Sequence, residues 1–225
     1  MDLLYTAHVP PGEGPFPTVL MLHGWGASAH DLLGLAPIVH GGGALVLCPQ
    51  GPVGFQIAPE QAPGMLGFGW WPIAPDSEID PDAFDTARQA VASFLNDACE
   101  RYPIDRRKIV VLGFSQGGVM AYDLVLGDPE RFAGLVALSS WLPEAVDTAV
   151  PSQEAMNNFP ALVVHGTKDP MIPVENAQES RQRLLARGVN VQYREFEMEH
   201  EINQEALREI VIWLEEKVFN LIQLA

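Results

Sequence analysis

The sequence predicts an α/β fold, with a mostly parallel central sheet and helices on both faces. Three observations predict it. Short apolar runs rich in Val and Leu recur without polar alternation, longer segments of helical period lie between them, and no repeat, charge block or low-complexity tract interrupts the succession. A strand without alternation is buried on both faces, as a central parallel strand is, and parallel strands need long crossovers, usually helical, to join them.

Taken in order, an edge strand is expected near Leu3 to His8, ended by Pro10-Pro11-Gly12 and paired antiparallel with the first central strand, Thr18 to Leu22. Further central strands are expected at Ala44 to Leu47, Ile109 to Leu112, Gly134 to Leu138, Ala161 to Val164 and Val189 to Phe196. Asp80-Pro81 is an N-cap followed by proline at the first helical position, and Phe84, Ala87, Val91, Phe94, Leu95 and Ala98 repeat at helical spacing after it. Pro81 to Tyr102 is therefore a long crossover helix. Val174 to Arg187 and Ile202 to Leu221 have the same period, the second with Ile202, Ala206, Ile210, Trp213 and Leu214 on roughly one face.

The stretch from Pro49 to Pro81 is proline-rich and has no steady period, so it reads as a long loop at the site and not as a second core; residues 1–225 are expected to form one domain. That loop holds Met65, Leu66, Phe68, Trp70, Trp71 and Ile73, too much apolar surface to leave solvated. These side chains either cover the edge of the sheet or wall an acyl pocket.

Of the 225 residues, 48 % are hydrophobic and 19 % charged, which supplies a sizeable core. A net charge of −16 argues against a nucleic-acid or anionic-membrane partner, since both are polyanions. Cys48 and Cys99 form no CxxC pair and have no His cluster of metal-ligand spacing nearby, so both read as free thiols. The start lacks a basic n-region and no apolar stretch approaches membrane-spanning length, which gives the expectation of a cytoplasmic protein with no integral membrane segment.

The chemistry is concentrated in Gly113-Phe114-Ser115-Gln116-Gly117-Gly118, which follows the strand-like Lys108 to Leu112 and precedes the helix-like Val119 to Val125. A sharp strand-to-helix turn lifts a serine hydroxyl to the carboxyl edge of a sheet, and small flanking residues prevent clashes. A hydroxyl is a weak nucleophile at neutral pH and needs a general base, which in turn needs an acid to fix its tautomer. Asp169, in His165-Gly166-Thr167-Lys168-Asp169-Pro170 after the strand Ala161 to Val164, is the candidate acid; Asp123, Asp128 and Asp147 are poorer ones, on a helix or in an unanchored loop. His200, in Glu197-Met198-Glu199-His200-Glu201 after the strand Val189 to Phe196, is the candidate base. His165 competes, but it shares a turn with Asp169 and fits better as a support for that turn's backbone. Acyl transfer also places negative charge on a carbonyl oxygen, so two backbone N–H donors are needed. Gln116, directly after Ser115, and Trp25, in the Gly-rich His23-Gly24-Trp25-Gly26-Ala27-Ser28, are the candidates for this oxyanion hole. The route this implies is an acyl-enzyme formed on Ser115 and then hydrolysed, with no metal or cofactor.

The chain resembles the phospholipase/carboxylesterase family of α/β-hydrolases, which includes small bacterial carboxylesterases and acyl-protein thioesterases. The residues carrying the resemblance span nearly the whole chain: Leu22-His23-Gly24-Trp25-Gly26, the segment around Ser115, Leu138-Ser139-Ser140-Trp141-Leu142-Pro143, His165 to Pro170, and Met198-Glu199-His200-Glu201. The resemblance implies a triad of Ser115, Asp169 and His200, an oxyanion hole of Trp25 and Gln116, hydrolysis of small to medium acyl esters, and self-association as a homodimer. Trp25 stands where the family usually has Leu, and Phe68-Gly69-Trp70-Trp71-Pro72-Ile73 has a second Trp and lacks the family's usual acidic residue. Trp70, Trp71, Trp141, Leu142 and Met171 are expected to form the substrate walls.

The expected reaction is thus carboxylic-ester hydrolysis on a small-molecule ester or thioester. Acyl-protein or acyl thioester hydrolysis stays open, as do acyl transfer or perhydrolysis by interception of the acyl-enzyme. Dienelactone hydrolase-like chemistry is disfavoured because such enzymes usually use Cys where Ser115 stands. A catalytically idle ligand-binding protein on the same fold is a further alternative.

Overall fold

The computed structural model describes residues 2–57, 64–73, 79–147 and 156–220. Seven strands form one sheet: β1 (Tyr5–His8), β2 (Phe16–Leu22), β3 (Leu45–Pro49), β6 (Ile104–Phe114), β7 (Gly134–Leu138), β8 (Pro160–Gly166) and β9 (Asn190–Phe196), in the order β1-β3-β2-β6-β7-β8-β9. All neighbours are parallel except β1 on β3. Helices α1 (Pro81–Arg101), α2 (Gln116–Gly127), α4 (Val174–Ala186) and α5 (Gln204–Leu214) supply the crossovers and flanks, with a short α3 at Glu144–Asp147. This is the mostly parallel sheet flanked by helices that the alternation of apolar runs and helical periods implies, and it agrees with the α/β-hydrolase fold that the family resemblance implies.

Alternating side chains of each central strand enter two different cores. In β2, Leu20 and Leu22 pack with Val111 of β6, Val91 of α1 and Val125 of α2, while Val19 and Met21 pack on the other face with Val110, Leu112 and the α5 residues Ala206, Ile210 and Trp213. Both faces being covered, these strands have no reason to alternate polar and apolar residues. In α1 the Asp80 carboxylate accepts from the N–H groups of Asp82 (3.0 Å) and Ala83 (3.2 Å), and Phe84, Ala87, Val91, Phe94, Leu95 and Ala98 are buried, the stripe expected from spacing. Asn203 caps α5 by accepting from Ala206 N–H at 2.8 Å, and a π-helical turn, Glu215–Phe219, continues it. The end of the expected 202–221 helix lies outside the described residues.

Three expectations need correction. The strand expected as a central one over Val189 to Phe196 is the edge strand β9, which among the described residues pairs with β8 alone and whose residues are all half-buried or exposed. The edge strand β1 pairs with β3, Tyr5 opposite Pro49 and His8 opposite Val46, and not with β2. Both edges of β2 are already taken by β3 and β6, so residues 9–15 carry the chain past β3. The 49–81 stretch also contains an antiparallel hairpin, β4 (Val53–Gln56) with β5 (Leu66–Gly69). Its strands hold Gly54, Gly67 and Gly69, which weaken a strand signal. The hairpin docks on the loop after β2 through Gly26 N–H to Phe68 O and Phe68 N–H to Ala27 O, both 2.9 Å.

Cys48 and Cys99 are both free thiols; burial pushes the Cys48 thiol up to about 12. Among the described residues no helix is long and apolar enough to cross a membrane. The sheet's organisation leaves β2, β6, β7, β8 and β9 ending at one edge, where the loops after them gather the residues singled out above.

Candidate active site

Ser115 sits in the turn between β6 and α2 at φ 53°, ψ −120°, a conformation that side-chain-bearing residues avoid. Such strain costs on the order of 1–3 kcal/mol and persists only where neighbours over-determine it. Here Ser115 N–H donates to Leu138 O at 2.9 Å, and the Ser140 hydroxyl donates to Ser115 O at 2.8 Å. A Cβ on Gly117 would lie 2.0 Å from Leu22 O, and one on Gly113 would lie 2.1 Å from Gly117 O. The glycines flanking Ser115 are therefore fixed by backbone approach, which is the reason for the Gly-x-Ser-x-Gly spacing.

The loop after β8 presents Asp169. Its Oδ1 accepts from the N–H groups of Met171 and Ile172, each at 2.9 Å, and its Oδ2 lies 2.7 Å from His200 Nδ1. The carboxyl side chain is enclosed, and although burial opposes its charge, the Ile172 and Met171 amides and His200 outweigh that and hold it below the ordinary carboxylate range. An acceptor at this position requires the proton on His200 Nδ1, which leaves Nε2 able to accept another. Phe114 supports the imidazole from one side, ring centroids 4.9 Å apart and tilted by 51°. The loops carrying acid and imidazole are tied by Lys168 N–H to Met198 O at 3.1 Å and Thr167 N–H to Phe196 O at 2.8 Å.

His165 is fully buried under the same turn. Its Nε2 is 2.9 Å from Ile172 O, to which it donates, and 3.5 Å from Asp169 Oδ2. It thus supports the turn's backbone, as its place in the sequence suggests, and lies away from the cleft.

Gln116 directly follows Ser115 and Trp25 lines the same cleft, and neither backbone N–H has a hydrogen-bond partner among the described residues. The Trp25 ring is stacked on Phe55 of β4, with centroids 4.1 Å apart at 15°. A side chain on Gly69 of β5 would collide with the same indole, its Cβ 2.2 Å from the ring. The Gln116 side chain acts as a clamp, since its Oε1 accepts from Trp70 N–H and its Nε2 donates to Trp71 O, both at 2.8 Å. Trp70 Nε1 donates in turn to His23 O at 2.8 Å. His23 Nε2 accepts from Gly51 N–H at 3.0 Å, so Nδ1 carries the proton donated to Gly24 O at 2.8 Å. Burial holds the His23 imidazole below its ordinary pKa, in keeping with a neutral latch between the two loops.

Ser115 and His200 open into one cleft of about 360 Å³, lined also by Gly24, Trp25, Asp31, Ile73, Phe114, Gln116, Trp141, Met171 and Ile172. Of the expected walls, Trp141 and Met171 line it, and Met171 is 70 % exposed at the rim. Trp70, Trp71 and Leu142 do not. Trp70 and Trp71 are buried behind the Ser115 turn, Trp71 edge-on to Phe84 at 5.2 Å, because Gln116 and His23 fix their backbone and indole inward. Leu142 points into the core, its N–H donating to Ser180 Oγ at 2.8 Å. Sequence reasoning missed Phe114 and Asp31 as lining residues and Ser140 as a brace for Ser115; only the adjacency of Phe114 to Ser115 could have signalled any of them. No group of three or more His, Cys, Asp or Glu able to hold a metal ion occurs among the described residues.

A family model for phospholipase/carboxylesterase proteins matches residues 6–217. An acyl-protein thioesterase 1 of Cryptococcus neoformans var. neoformans serotype D is 29 % identical over 180 residues, covering 76 % of this chain and 74 % of that protein. Among solved structures, the esterase PE8 superposes with a TM-score of 0.80 at 23 % identity, covering 97 % of this chain and all of that one. A Bacillus cereus carboxylesterase gives 0.74 at 22 % identity over 92 % of this chain and 91 % of that one. The structural likenesses support the fold; the family match, which takes in almost every element that frames the Ser115 cleft, supports more. The chain is an enzyme of the hydrolase class and belongs to the phospholipase/carboxylesterase family.

Proposed function

We propose that the protein is a serine hydrolase of carboxylic esters with small to medium acyl groups, working through an acyl-enzyme on Ser115. The observation that carries this reading is the pairing of His200 Nδ1 with Asp169 Oδ2 at 2.7 Å beside a cleft that the strained Ser115 also lines. His200 Nε2 takes the hydroxyl proton as Ser115 Oγ attacks the ester carbonyl carbon, and the Trp25 and Gln116 N–H groups receive the developing oxyanion. His200 then protonates the departing alcohol. Water, deprotonated by the same imidazole, cleaves the acyl-enzyme and restores Ser115. Asp169 keeps His200 in the tautomer both steps need and stabilises the imidazolium between them.

The test is a rate profile over p-nitrophenyl esters of graded chain length for the wild type and Ser115→Ala. We expect a burst of nitrophenol from the wild type and a loss of kcat on the order of 10⁵–10⁶ in the variant. An alanine variant with full activity would overturn the proposal. Thioester hydrolysis is the second reading, favoured by the similarity to a protein named acyl-protein thioesterase; it uses the same steps with a thiol leaving group.

A further inference from the structure

The cleft beside Ser115 carries a charge that acyl chemistry alone does not require. Among the described residues Asp31 and His200 are its ionisable lining residues, and no lysine or arginine lines it. Asp31 is placed by its N–H, which donates to Ser28 O at 3.1 Å, directly ahead of the helical turn Leu32–Leu35. Its side chain is exposed and, among the described residues, accepts no hydrogen bond and joins no ion pair. The other lining residues include Trp25, Phe114 and Trp141, with the Phe114 ring centroid 4.9 Å from that of His200. Around the imidazole the local charges are again acidic, with Glu199 and Glu201 exposed on either side of His200. Lys168, on the loop that carries Asp169, is paired with Glu197 and does not offset them.

An uncompensated carboxylate among aromatic rings attracts cations, quaternary ammonium groups above all, through charge and ring quadrupole together. A polyanionic leaving group would instead meet Asp31 and the field of a protein of net charge −16. Resting on the esterase reading above, we infer that the alcohol or thiol half of the preferred substrate carries a cationic, alkylated ammonium group held by Asp31 against Trp25 and Trp141.

The experiment compares kcat/KM for S-butyrylthiocholine, its uncharged carbon isostere S-(3,3-dimethylbutyl) thiobutyrate, and butyryl-coenzyme A, at low and high salt, in the wild type and Asp31→Asn. We expect the cationic thioester to exceed its isostere about tenfold in the wild type at low salt, with butyryl-coenzyme A at least about tenfold below the isostere. The preference for the cation should shrink to about two- to threefold in Asp31→Asn and in roughly 0.5 M salt. Equal rates on the two isosteres, or a preference that Asp31→Asn leaves unchanged, overturn the inference. p-Nitrophenyl butyrate separates the two levels: turnover of it without charge discrimination removes only the role of Asp31, whereas absence of turnover on every substrate removes the esterase reading and this inference together.

Discussion

The two oxygens of Asp169 are committed to different partners, and that division determines what one substitution does. Oδ1 takes two backbone N–H groups and Oδ2 takes His200. In Asp169→Asn the amide oxygen can keep the first pair, but the amide nitrogen then faces a donor and cannot accept from Nδ1. The imidazole loses its fixed tautomer, so kcat should fall by roughly 10³–10⁴ while KM changes little. The same carboxylate contributes to stability. Its folded pKa lies below the ordinary range, so the contribution is present above the unfolded carboxylate pKa and is lost as pH falls through the lowered folded value. Urea denaturation of wild type and Asp169→Asn should therefore differ at neutral pH and converge in acid. A difference that persists at the lowest pH would assign the loss to packing instead of charge.

At the scale of elements, the segment Gly69 to Trp71 is held by one side chain from α2. Gln116→Ala would leave Trp70 N–H and Trp71 O, both now satisfied by the amide, without partners in a buried place. Each orphaned group costs about 1–3 kcal/mol, so the variant should lose about 2–6 kcal/mol of stability, with a matching loss of activity as the β4–β5 hairpin shifts under Trp25. A melt within a degree of the wild type would show that the clamp is dispensable. Nothing in the sequence announced this contact, because a glutamine after Ser115 reads first as a source of a backbone N–H. The elements that were legible are those whose signal is local: the Asp80-Pro81 cap of α1, the apolar runs of β2, β6, β7 and β8, and the glycines around Ser115. What was not legible depends on partners far away in the chain. Whether β1 meets β2 or β3 is decided by which edge of β2 is free. Whether Trp70 and Trp71 line a cleft or fill a core is decided by Gln116 and His23, 46 and 47 residues from Trp70. Trp141 and Met171, which do line the cleft, follow directly from strand ends and loops that the sequence already placed at the sheet's carboxyl edge.

For the molecule as a whole, acidity and stability pull in opposite directions. The chain has 29 acidic residues against 13 Lys and Arg, so self-repulsion grows as pH rises and salt falls. One carboxylate is also poorly accommodated inside. Asp123 of α2 is 9 % exposed, its Oδ2 has no hydrogen-bond partner, and the Arg88 guanidinium of α1 comes no closer than 3.8 Å. Burial pushes its pKa up to about 6, against the pull of Arg88. A folded pKa raised above the unfolded one favours the native state fully below the unfolded value, and the benefit is lost as pH rises through about 6. Repulsion and the Asp123 ionisation thus act in the same direction, and thermal stability should rise as pH is lowered from 8 toward 6. Asp123→Asn removes the second contribution alone. Its Tm should exceed that of the wild type at pH 8, by an amount equivalent to about 1–3 kcal/mol. The gap should close as the pH approaches the ordinary carboxylate range, where the wild-type side chain is neutral in both states. Added salt should raise the Tm of both proteins at pH 8 without closing the gap, because screening reaches the surface charges and not a buried carboxylate. If salt alone brought the two melts together, Asp123 would belong to the surface field and not to the interior.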